Sequence, residues 1–131
     1  MQRLHLDEMV HIDGGFLGEV IAQLGPLRGG ELIRDAVASM AADLDALAEA
    51  VHRPADPGAA DPLTGTAAVA DRLSRIAWEV GLTTLSGVAL DLAHCAERGD
   101  DVALRAVAAR LQRVGLQSLN GAIAEAALLD G

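Results

Sequence analysis

The chain reads as all-α, an up-and-down four-helix bundle with a short helical extension at its N-terminus. Three observations carry this reading. Aromatic residues make up 2 % of the chain, with one Phe, one Trp and no Tyr, so the aromatic and β-branched runs typical of strands are missing. Long stretches repeat apolar residues at alternating steps of four and three, the spacing of one helix face. Gly and Pro gather between those stretches, where helices stop.

The elements follow in order. Residues 4–12 carry a weak helical pattern. In "FLGEVIAQL", residues 16–24, the pairs Phe16/Leu17 and Val20/Ile21 and then Leu24 form a short amphipathic helix that Gly25-Pro26 ends. The clearest element is "ELIRDAVASMAADLDALAEAV" from Glu31, in which Ile33, Val37, Met40, Leu44, Leu47 and Val51 make the narrow seam of a bundle helix. Asp35, Ser39, Asp43, Asp45 and Glu49 lie off that seam. Residues 52–65, "HRPADPGAADPLTG", hold three prolines and are expected to form a flexible insertion loop.

A helix from Thr66 to Val80 comes next, with Val69, Leu73, Ile76 and Val80 as its expected core face. Gly81 permits a tight turn. In the following helix Leu85, Ala89, Leu92 and Ala96 face inward with Val88 alongside, Gly99 is its expected C′ residue, and Asp100 is the N-cap of the last helix. That last helix begins with an apolar side of Leu104, Val107, Leu111 and Val114. Beyond Gly115 the stripe turns by roughly 140° to Leu119, Ile123 and Ala126, so a bend or break is expected near Gly115 or at Asn120-Gly121.

At 131 residues the chain is one domain, long enough to bury a core without disulfides or metals. Its formal net charge is −9 and all ten cations are Arg. This acidity disfavours nucleic acid, where neutralising phosphate supplies much of the affinity, and disfavours anionic membrane surfaces for the same reason. The one cysteine, Cys95, suits a reducing compartment and is expected to pack as a small hydrophobe. The first fifteen residues interrupt their apolar positions with acids, unlike a signal peptide, and no apolar run is long enough to span a membrane. The expected location is the cytoplasm.

The candidate site lies on "ADRLSRIAWEVG", residues 70–81, where Asp71, Ser74, Arg75 and Trp78, continued by Leu82, form a stripe opposite the expected core face. Two readings stand. It is a solvated helix side with Trp78 covered by a neighbouring loop, or it is a partner surface, since Trp and Arg are common interface anchors. Asp71 and Arg75 are one turn apart and are expected to pair weakly. Asp91, His94 and Cys95 have a spacing a metal site uses, but they share one helix and nothing converges on them. No metal, cofactor or catalytic residue is assigned, and no nucleotide-binding, hydrolase or dithiol motif is present.

From Glu31 onward the pattern resembles a histidine phosphotransfer (Hpt) domain. The stretch "GLTTLSGVALDLAHCAERGDDVALRAVAARL" carries a glycine turn, an amphipathic helix ending in Gly99-Asp100, and a further long helix at separations similar to that family's second half. The resemblance places the family's His-x-Leu-Lys-Gly signature on residues 71–75. It implies a phosphorelay module that binds a response-regulator receiver domain or a histidine kinase. Asp71 stands at the phosphoacceptor position, Leu73 keeps the apolar residue, Ser74 replaces the Lys and Arg75 the Gly. An imidazole nucleophile is thus absent where the family uses one, and Arg75 and Trp78 fill the space through which a receiver approaches. The resemblance therefore implies a degenerate member that binds without carrying phosphate and has no enzymatic activity. Alternatives are a working phosphotransfer protein using a displaced His (His5, His11, His52 or His94), or a structural homodimer formed through the Trp78 stripe.

Overall fold

The computed structural model describes residues 14–52 and 62–130. These form five helices: α1 (Gly14–Leu24), α2 (Pro26–His52), α3 (Pro62–Glu79), α4 (Thr83–Arg98) and α5 (Asp101–Asp130). There is no strand among the described residues, so the all-α expectation is met. None of these helices is long and apolar enough to cross a membrane. The weak pattern at 4–12 and most of the expected loop lie outside the described residues.

Three glycines with positive φ set the corners. Gly25 (φ 81°) closes α1 with its N–H on the Ile21 carbonyl and offers its own carbonyl to Gly29. It is thus the last residue of one helix and the cap of the next. Consequently α2 starts at Pro26, five residues before the expected Glu31. Proline suits the first helical position, where φ is already helical and the missing N–H has no partner to lose. The same reasoning corrects the loop expected at 52–65: α3 begins at Pro62, so residues 62–65 are helical.

Gly81 (φ 82°) and Gly99 (φ 68°) build two equivalent endings. At the first, Gly81 donates to the Trp78 carbonyl and Leu82 to that of Ala77; at the second, Gly99 donates to Ala96 and Asp100 to Cys95. Both are Schellman closures, in which a left-handed residue lets two N–H groups fold back onto the final carbonyls. Asp100 then caps α5 with its Oδ1 on the Ala103 N–H at 3.1 Å.

In space α2 lies against α3 and α5, α4 lies against α3 and α5, and α1 lies against α2. The seam of α2 is as the sequence implies, with Ile33, Val37, Met40, Leu44 and Leu47 buried. The α4 face is likewise Leu85, Val88, Ala89, Leu92 and Ala96, and Cys95 is buried among them. The α2–α5 pair is antiparallel: Gln112 Nε2 donates to the Leu44 carbonyl at 3.0 Å, while the later Leu119 and Ile123 line one cleft with the earlier Val37.

Two expectations are corrected here. α5 neither stops nor restarts, being helical from Asp101 to Asp130. Its buried seam continues through Gly115, Ser118, Ala122 and Ala126, together with Leu119. These small residues let α2 come close, and the larger Leu116 and Ile123 are left outside. Asp43 is also buried, at 4 % exposure, rather than lying on the open side of α2. Arg72 of α3 forks onto its carboxylate, Nη2 at 2.5 Å from Oδ1 and Nε at 3.3 Å from Oδ2. The hydrogen bonds to Asp43, and then its charge, raise the already high pKa of Arg72. A buried carboxylate needs such a partner, and the pair ties α2 to α3.

Candidate functional site

The outer side of α3 is defined by what its inner side buries. Thr66, Ala70, Leu73, Ala77 and Val80 point inward, while Val69 and Ile76 are only partly buried. The true core face is therefore rotated by roughly 60° from the expected one, counted at the helical period. Its cause is residue size. Ala70, Ser74 and Ala77 allow α3 and α4 to approach closely, so small residues take the centre and the branched ones flank it.

That rotation removes Ser74 from the predicted stripe. Ser74 is 7 % exposed and faces α4. Its Oγ donates to the Ser86 carbonyl at 2.9 Å, the Ser86 Oγ returns a 2.9 Å bond to the Ser74 carbonyl, and the two Oγ atoms lie 3.1 Å apart. This reciprocal clasp satisfies two buried hydroxyls at once. Ser74→Ala and Ser86→Ala are each expected to cost about 1 kcal/mol. Chemical denaturation of both single variants and the double should show a double loss smaller than the sum of the two, as for any pair sharing one network.

Leu82 also leaves the stripe, because it is fully buried. Counting angles from Trp78 to Leu82 assumes an unbroken helix, and Gly81 breaks it. In a Schellman closure the residue after the glycine folds back as an apolar contact against the last turn, and Leu82 does so.

What remains outside is Asp71, Arg75 and Trp78. Arg75 Nη2 pairs with Asp71 Oδ2 at 3.0 Å across one helical turn. Both side chains are at least half exposed, so the pair contributes only a few tenths of a kcal/mol. One turn beyond Arg75 and two beyond Asp71, Trp78 is 65 % exposed. No loop among the described residues covers it. An indole held in water beside a fixed ion pair offers a partner apolar area, an N–H donor and a guanidinium edge together.

The other candidate groups do not assemble. On α4, Asp91 and His94 are exposed while Cys95 points into the core, so the three do not share a face. Among the described residues no group of three His, Cys, Asp or Glu side chains is placed to hold a metal ion. His52 is exposed as the last residue of α2, and His94 is exposed on α4. His5 and His11 lie outside the described residues.

Sequence reasoning missed the Asp43–Arg72 fork and the outward pair Leu116 and Ile123. The fork has no local signal, since its members are 29 residues apart. Comparison with protein-family models, with curated proteins and with solved structures gives no match for this chain.

Proposed function

We propose that this chain is a phosphorelay-type docking module without a phosphoacceptor: α2 to α5 form an up-and-down four-helix bundle with α1 as its extension, and the outer face of α3 binds a response-regulator receiver domain or a histidine kinase in the cytoplasm. The observation that carries this reading is Trp78, held in solvent one turn beyond Arg75, which itself pairs with Asp71. The cyclic packing of the four longer helices supports the bundle. The Hpt-like pattern around Gly81 and Gly99 supports the partner class. With Asp71 at the phosphoacceptor position and paired to Arg75, the face supplies fixed charge rather than a nucleophilic imidazole. Arg75 and Trp78 project where a phosphotransfer domain keeps a small residue, so the partner is held without phosphoryl exchange.

The only tryptophan in the chain is thus its own reporter. Titrating the protein with receiver domains from the same genome, with and without a phosphoryl mimic, should give a saturable change in Trp78 emission. Arg75→Ala should weaken that binding by about tenfold, the effect of losing one interface anchor. A flat response to every receiver and kinase domain would overturn the proposal. Transfer of labelled phosphate onto His52 or His94 would replace it with the displaced-His reading.

A further inference from the structure

α5 carries two apolar stripes, and among the described residues only one of them is packed against another helix. Its small-residue seam packs on α2 and leaves Leu116 at 65 % and Ile123 at 48 % exposure. These two flank an open cleft of about 280 Å³ between α2 and α5, floored by Val37, Leu44 and Leu119. Across the cleft Ala41 and Asp45 line the α2 side, and Ala38 is exposed beside it. The ridge of Leu116 and Ile123 thus faces the small side chains of Ala38 and Ala41 on the antiparallel α2.

The same face carries an unpaired charge of each sign at one level. Asp45 and Arg113 immediately follow Leu44 and Gln112, whose hydrogen bond joins the two helices. Both are exposed, and neither makes an ion pair among the described residues. The cleft runs along α2 from the level of Val37 to that of Asp45, roughly 12 Å at 1.5 Å per residue.

We infer that this α2–α5 face binds a second copy of the chain through a two-fold axis parallel to the helices. That axis keeps each residue at its level and exchanges the two sides of the face. Leu116 and Ile123 of each copy then lie on Ala38 and Ala41 of the other, and Arg113 of each meets Asp45 of the other. Large side chains meet small ones and opposite charges meet twice, which an isologous contact requires. The charge pairing matters because each copy bears −9 overall and the copies otherwise repel. The inference does not rest on the receiver-docking proposal, since Trp78 lies on α3.

The test is mass in solution across concentration, by sedimentation velocity on the full chain. The wild type should rise from 13.5 kDa toward twice that value. Arg113→Asp and Asp45→Arg should each weaken dimerisation by about tenfold or more, because each sets like charges together twice. An equimolar mixture of the two variants should recover the dimer, since both contacts are then opposite in sign. Leu116→Glu should weaken the dimer and gain nothing from either partner. A wild type that stays at 13.5 kDa up to millimolar concentration overturns the inference, as does a dimer indifferent to both charge reversals or unrestored by mixing them.

Discussion

Leu82→Ala is expected to cost the protein about 2–5 kcal/mol, the range for truncating a buried leucine whose surroundings cannot fully collapse. On a solvated stripe, where periodicity from Trp78 places it, the same change would fall within about 0.5 kcal/mol. The large value is expected because Leu82 is fully buried and locks the α3–α4 turn from inside. Its N–H closes onto Ala77 and its carbonyl receives the Ser86 N–H at 3.0 Å, so its backbone also joins the two helices. Urea unfolding followed by far-UV circular dichroism reads the difference directly. Against a typical total stability of about 5–15 kcal/mol, the effect should be unmistakable. A loss below about 0.5 kcal/mol would return Leu82 to the surface and undo the closure described for Gly81.

Gly115→Val is expected to cost about 2–3 kcal/mol through overpacking. A Cβ built at Gly115 meets Leu44 Cδ1 at 2.6 Å, Cδ2 at 3.0 Å and Cγ at 3.4 Å. The methyl tips can swing, but Leu44 is itself buried, and a close approach of Cγ leaves little room for the branched side chain. Gly115→Ala should come out much nearer neutral, because the smaller clash is opposed by up to ~1 kcal/mol of helix propensity. Adding Leu44→Ala to Gly115→Val should recover part of the loss, with a coupling of at least about 1 kcal/mol between the two sites. Strict additivity in the same denaturation experiment would mean that α2 and α5 do not approach here as closely as described.

These positions also show what periodicity reads and what it does not. The α2 seam, the α4 face, both glycine closures and the Asp100 cap were legible, because large apolar residues or a left-handed glycine mark each of them. The α3 face and the second half of α5 were misread for one common reason. Their cores are built from Ala, Ser and Gly, which carry little hydrophobic weight but permit close helix approach. Where such residues form the seam, the large apolar side chains lie at its edge and draw the apparent stripe toward themselves. Ser74 and Ile123 therefore exchange the places that the pattern gives them, one into the core and the other out of it. Of the candidate site, Asp71, Arg75 and Trp78 lie outside as the pattern implied. Asp43 escaped notice because its partner, Arg72, comes from another helix.

The uneven reach of the helix contacts has a kinetic corollary. α3 and α4 are joined by a turn of three residues and clasped between Ser74 and Ser86, only twelve positions apart. The α2–α5 contact instead joins Leu44 to Gln112, 68 positions apart. Closing a loop costs more entropy as it lengthens, and contacts between near neighbours form sooner. The α3–α4 and α4–α5 hairpins are therefore the local contacts, and the docking of α2 on α5 is the late event that completes the chain. Until it occurs, the side of α5 that meets α2 is open to water together with Leu116 and Ile123.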